Sequence, residues 1–187
     1  MIYDLAEHRH RFAVWAAARA SQRGFTTVEI LRDALEATDI RGVLTAVATL
    51  QLQEVDFETL HRRWCSSICS TLSHRQIAKI TYGRAAKLVA VYLKATILMG
   101  EGWDTPFGRS MHPPIDRTLL QRLASSERVK SPHTAAWRSV NWTHLTESEY
   151  YRLIAQLREV IPDGKPFWVI EEHWQPAETE EDEQPER

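Results

Sequence analysis

The stretch RAAKLVAVYLKATILM, residues 84–99, decides the fold class of this chain. It holds no glycine or proline, and its apolar residues run almost without break, so it reads as the most deeply buried helix in the sequence. Working backwards, Thr81-Tyr82-Gly83 reads as a turn and residues 73–80 as a short helix before it. Working forwards, glycines and prolines crowd residues 100–114, too irregular for an element, and a helix is expected over residues 115–124.

The flanks carry the same helical grammar. Residues 4–23 predict a helix with Leu5, Phe12, Trp15, Ala16 and Ala20 near helical spacing, ended by Gly24. Thr26-Thr27-Val28-Glu29 is a capping-box pattern opening a helix through about residue 37, and residues 40–55 add a shorter one with a loose end. Asp56 caps a helix to about residue 72, where Phe57, Leu60, Trp64 and Ile68 form one stripe. Residues 125–145 read as irregular or short helix. Thr146-Glu147-Ser148-Glu149 starts a helix to about residue 160, stopped by Pro162-Asp163-Gly164. Residues 167–174 read as a short strand or a last helical turn. With no βαβ alternation and no repeat, the expected architecture is one all-α domain over residues 1–176, followed by a disordered acidic tail, 177–187. Trp15 and Trp64 are expected in the core.

Length and composition fit that architecture. The 187 residues are 43% hydrophobic and 26% charged, enough to bury a core without staples. The longest apolar runs are too short to span a bilayer, and the N-terminus lacks the apolar core of a secretory signal. The two cysteines, Cys65 and Cys69, read as small buried residues, so a reducing cytoplasm is the expected compartment. The net charge of −2 hides a split: residues 177–187 carry six acids and one arginine, whereas residues 62–138 carry 13 Lys and Arg against 4 Asp and Glu, or +9. That segment can face a polyanion or be a solvated basic surface. Of the 23 basic residues 18 are arginine, which suits bidentate phosphate contacts.

Two features carry chemistry. Lys87 and Lys94, seven residues apart, share a face of the most apolar helix. A lysine desolvated there has a lowered pKa and an available neutral amine, while a lysine that snorkels to solvent does not. Asp116, behind His112-Pro113-Pro114, falls at a helix N-terminus. It serves there as an N-cap, or, in a cleft, as an ionised carboxylate that supports a sugar cation.

SHRQIAKITYGRAAKLVAVYLKA followed by HPPIDRTLL resembles the helix-hairpin-helix DNA glycosylases. The resemblance covers about 45 residues, with one hairpin glycine, Gly83, where the family has two, and no iron–sulfur cysteine motif. It implies that Lys87 is the nucleophile and Asp116 the essential aspartate, 29 residues on, a separation similar to that of the archaeal 8-oxoguanine branch. It further implies that Arg75, Lys79, Tyr82, Gly83, Arg84, Lys94 and Arg117 contact duplex DNA, that the base is flipped out, and that strand nicking can follow. The base pocket is expected from His112, Trp168, Glu171, Glu172, His173 and Trp174, since rings stack on a base and carboxylates accept from its amino groups. The small size is similar to stand-alone glycosylases that defend bacteria against phages with modified bases.

A monomer with no cofactor and no metal is expected, because His8-Arg9-His10 and Glu171-Glu172-His173 lack a zinc spacing. No phosphate-binding loop, nucleophile elbow or dinucleotide fingerprint is present. Two other readings stay open: a non-catalytic helical nucleic-acid-binding module, and a helical interaction domain that works through its acidic tail.

Overall fold

Helix α5, Tyr82–Leu93, is the axis on which the other elements pack, and all of its residues except Val91 are buried. A helix this apolar must be covered on every side. In the computed structural model, which describes residues 3–48 and 56–175, α1 (Leu5–Gln22) and α4 (Phe57–His74) lie against it most extensively. Helices α2 (Val28–Glu36) and α9 (Glu147–Arg158) and a 3₁₀ turn, Trp142–His144, complete the sheath, and α3 (Ile40–Ala48) packs on α2. Helix α6 (Pro106–Ser110), α7 (Arg117–Ser125), α8 (Thr134–Trp137) and a closing 3₁₀ segment, Phe167–His173, form the rest. Among the described residues the fold is all-helical, without a strand, and no helix is long and apolar enough to cross a membrane. The expected acidic tail, residues 177–187, and the end of the 40–55 segment, residues 49–55, lie outside the described residues.

Local capping sets most helix starts. Asp4, Thr27, Asp56, Thr81, Thr105, Asp116 and Thr146 each accept a backbone N–H of the first turn, which satisfies donors that have no partner within the helix. At Thr146 the box is reciprocal, with Glu149 reaching back to the Thr146 amide at 2.9 Å. Gly24, at φ +70°, closes α1.

Several expectations are corrected. No separate helix covers residues 73–80: α4 runs on to His74, and turns with left-handed Gln76 and Lys79 lead into α5. Thr81 caps α5 rather than lying in a turn, so Tyr82 and Gly83 are helical. Helix α6, with Thr105 as cap and Pro106 in its first turn, interrupts the segment expected to be irregular. Of the two alternatives for the closing segment the helical one holds: Phe167–His173 is 3₁₀ helix, with Trp174 extended just beyond it. The buried face of α1 is His10, Ala13, Val14, Ala17, Ala18 and Ser21, so Leu5, Phe12 and Trp15 point outward, Trp15 with 51% exposure. Small side chains let α1 approach α5 closely, and that leaves the bulky rings outside. Trp64 is fully buried, as expected. Cys65 is buried, Cys69 is half-buried, and both are free thiols.

Candidate active site

Lys87 lies in the second turn of α5, and Asp116 caps α7. The fold brings them together: Lys87 Nζ donates to Asp116 Oδ2 at 2.7 Å, and each residue keeps only 6% of its surface exposed. Asp116 is held from three directions. Its Oδ1 accepts from the Leu119 amide at 2.9 Å, and its Oδ2 also accepts from Trp174 Nε1 at 3.1 Å. The Lys87 ammonium lies 5.2 Å from the centroid of the Trp142 ring, a cation–π distance.

The environment acts differently on the two charges. Burial lowers the pKa of Lys87, against the attraction of Asp116, and Arg23 adds repulsion. Burial pushes Asp116 upward, but the Lys87 charge and the Leu119 and Trp174 donors outweigh it, and its pKa is lowered. Asp116 is therefore the ionised partner, fixed by three donors, while the Lys87 proton is held less tightly than that of a solvated lysine.

A second pair runs parallel to the first. Where α5 widens into a π-helical turn, Lys94–Leu98, Lys94 pairs with Glu171 of the closing 3₁₀ segment. Lys87 and Lys94 thus share a face. With Trp174 on Asp116, the closing segment is tied across both lysines.

The other expected site residues divide. Arg84 and Arg117 border a common pocket beside Trp142. Tyr82, expected among the DNA contacts, is instead buried, with its hydroxyl 3.4 Å from His61 Nδ1 and from the Tyr151 hydroxyl. The amides in the first turn of α5 are bonded within the protein, since Gly83 N–H donates to Leu145 O at 3.0 Å and Arg84 N–H to Thr81 Oγ1 at 3.3 Å. Gly83 is needed because a Cβ there would lie 2.0 Å from the Trp142 carbonyl oxygen. Arg75 is exposed and paired with Asp33 at 2.9 Å, and Lys79 is exposed at φ +67°.

The expected base pocket is not assembled as one unit. Trp174 and Glu171 reach the lysine face, but Trp168 Nε1 donates to the Trp103 carbonyl at 3.2 Å. Glu172 and His173 pair with each other at 3.4 Å and line a separate depression with Arg122 and Arg128. His112 is buried in an aromatic cluster, packed on Phe57, His61, Tyr150 and Phe167, with Nδ1 3.2 Å from the Tyr150 hydroxyl and Nε2 without a hydrogen-bond partner. Burial, aided by Arg62, holds His61 down at about 3, so it is neutral at physiological pH.

Neither Trp142 nor Arg23 stands out in the sequence. Trp142 sits in an irregular stretch with no periodicity to mark it, and Arg23 reads as an ordinary basic helix end. Among the described residues no group of three or more His, Cys, Asp or Glu side chains is placed to hold a metal ion. In comparisons with known proteins, no family model matches this chain, no curated protein matches it, and no solved structure matches its fold.

Proposed function

We propose that the protein is a DNA glycosylase that cleaves the N-glycosidic bond of a damaged or modified base, with Lys87 as nucleophile and Asp116 as its electrostatic partner. The observation that carries this reading is the buried, 2.7 Å Lys87–Asp116 contact between residues 29 apart in sequence. An amine whose proton is loosened by burial, beside a carboxylate held ionised by three donors, is the chemistry that displacement at a sugar C1′ requires. Trp142 and Trp174 beside the pair supply ring faces of the kind that stack on an extruded base.

In the step proposed, Lys87 gives up its ammonium proton and the freed amine forms a bond to C1′ as the C1′–base bond breaks; the electron pair leaves with the base, which takes up the proton that Lys87 released. Asp116 stabilises positive charge on the sugar as that bond lengthens. Opening of the C1′–O4′ bond, with protonation of O4′, leaves a protonated imine on Lys87, from which elimination at C3′ nicks the strand. If Lys87 does not attack, Asp116 directs a water molecule to C1′ and the base is released without nicking. The reading takes the protein as a cytoplasmic monomer acting on duplex DNA, with oxidised guanine and phage-modified cytosine as substrate classes to be separated.

The test is base release, followed by chromatography and mass spectrometry, from duplexes carrying normal, oxidised and phage-modified bases. Release by the parent protein, abolished in Asp116→Asn, is expected. Borohydride should trap a covalent DNA adduct on the parent and not on Lys87→Gln. No release from any duplex of the panel overturns the reading. One observation favours a second reading, a non-catalytic nucleic-acid-binding module: both Asp116 oxygens are already engaged, one as a helix cap. That module predicts DNA binding that Lys87→Gln leaves intact, with no bond cleaved.

A further inference from the structure

Beside the Lys87–Asp116 pair lies a pocket of about 520 Å³ lined by Arg23, Arg84, Arg117 and Arg138 and by residues 139–143. The four arginines come from four elements: the C-terminal cap of α1, the first turn of α5, the first residue of α7 and the C-terminal cap of α8. No carboxylate lines this pocket. Elsewhere Arg11, Arg41, Arg62, Arg63, Arg75 and Arg109 each pair with an acid, whereas among the described residues none of these four does. Four like charges gathered without a counter-charge repel one another, an arrangement that makes sense when an anion completes it.

Arg84 is the sharpest part of the observation. It is 91% buried, its guanidinium carbon lies 4.2 Å from the centroid of the Phe25 ring, and its Nε and Nη1 have no hydrogen-bond partner. A buried guanidinium without an acceptor is costly, and its planar fork matches the oxygens of a phosphate. Arg138 spends one nitrogen on the Ala124 carbonyl at 3.1 Å, which steadies its side chain at the rim. Trp142 joins the pocket to the reactive pair, since it lines the pocket and sets its ring near Lys87 Nζ. Arg117 adjoins Asp116 in sequence. The Gly83 and Arg84 amides are bonded within the protein and offer an anion nothing, whereas this pocket leaves its guanidinium donors open.

We propose that the four-arginine pocket seats a backbone phosphate of the nucleic-acid strand next to the Lys87–Asp116 pair, with Arg84 as its buried anchor and Arg23, Arg117 and Arg138 closing around it. The choice of a nucleic-acid strand rests on the glycosylase reading; the choice of a phosphate rests on the pocket itself.

The test is fluorescence anisotropy of a labelled duplex oligonucleotide against salt concentration, using the full-length protein. Arg23→Ala/Arg138→Ala, both at exposed positions, should weaken binding about tenfold and lower the slope of log affinity against log salt by about one, the value for one lost phosphate contact. Arg84→Met, which keeps an apolar stem beside Phe25, should do the same, while the ion-paired, exposed Arg63→Ala should bind like the parent. Parent-like affinity and slope in the double variant overturn the proposal. So does an anion arm in which inorganic phosphate or a deoxynucleoside 5′-monophosphate quenches tryptophan fluorescence through these arginines while the oligonucleotide fails to bind, because the pocket is then built for a free phosphate. Failure of the two readings is separable. Oligonucleotide binding through the four arginines without base release sinks the glycosylase and keeps the pocket. Base release and affinity unchanged in Arg23→Ala/Arg138→Ala sink the pocket and keep the glycosylase.

Discussion

Replacing Asp116 by Asn removes the counter-charge of Lys87 with little change of shape, because Asn caps a helix as well as Asp. The cap to the Leu119 amide survives, but the side-chain NH2 then stands where Oδ2 accepted from Lys87 and Trp174, so the Trp174 bond goes with the charge. What is lost is the counter-charge to an ammonium with 6% side-chain exposure. Removing one partner of a buried ion pair costs about 3–5 kcal/mol, a large part of the roughly 5–15 kcal/mol by which a domain of this kind is stable. The variant has one escape, which is to release the Lys87 proton. Burial already holds the Lys87 pKa below its ordinary 10.5, and without Asp116 it falls further. With the folded pKa below the unfolded one, the unfolded chain binds more protons in the interval between them, so stability rises with pH there. Asp116→Asn should therefore be destabilised by about 3 kcal/mol near pH 6 and by clearly less near pH 9. Lys87→Met/Asp116→Asn, which removes both charges, should recover most of the loss at the lower pH. Urea unfolding followed by circular dichroism at the two pH values measures all three quantities. A cost below about 1 kcal/mol that does not change with pH, or a double variant as unstable as the two single losses summed, would refute the claim that Lys87 is a desolvated cation held by Asp116.

Three further outcomes follow from the packing. Gly83→Ala should cost roughly 3 kcal/mol or more, because its Cβ meets the Trp142 carbonyl oxygen at 2.0 Å and the Gly83 amide bond to Leu145 keeps that segment from withdrawing; thermal melts against a neutral surface variant read this directly. His61, held at about 3 from an ordinary 6.5 by burial, stays neutral while the unfolded chain takes up a proton, so stability falls as pH drops through that window, by roughly 5 kcal/mol in all; His61→Phe should flatten the acid limb of the stability profile, and an unchanged limb contradicts the assignment. Trp15→Ser, at a solvent-facing position, should change stability by less than about 0.5 kcal/mol, whereas Trp64→Ser, at a fully buried one, should cost about 3 kcal/mol or more in the same denaturant titration.

Capping was legible because it is local. Asp56, Thr146 and Glu149 contact backbone groups within three residues, so their pattern in the sequence is the interaction itself. At Thr26-Thr27-Val28-Glu29 the cap forms one residue further on, Thr27 on the Ile30 amide, and Thr26 Oγ1 has no hydrogen-bond partner. The apolar run was equally plain over residues 84–93, since a helix so nearly continuous in apolar residues must lie inside, but its expected continuation to residue 99 is a π-helical turn without a buried residue, ending at exposed Met99. Which face of α1 turns inward was not legible, because the small stripe of Ala13, Ala17 and Ala18 competes with the larger hydrophobes Phe12 and Trp15. The contour of α5 chose the small stripe, and no count of hydrophobic residues in α1 contains that contour. Gly83 reads from sequence as a turn glycine, but its reason is a carbonyl from a segment some sixty residues away.

The same division holds at the candidate site. Read alone, the sequence supplies the ingredients: a lysine in an apolar helix, an aspartate at a helix start, and a surplus of arginine on either side of the two. Their assembly belongs to the packed molecule: there Lys87 and Asp116 meet at 2.7 Å, Trp142 and Trp174 flank them, and Arg23, Arg84, Arg117 and Arg138 enclose one pocket. The physical reason is range. Helix propensity and capping act within a turn or two, whereas a desolvated ion pair and an unneutralised cluster of cations exist only once distant segments have packed and excluded water between them.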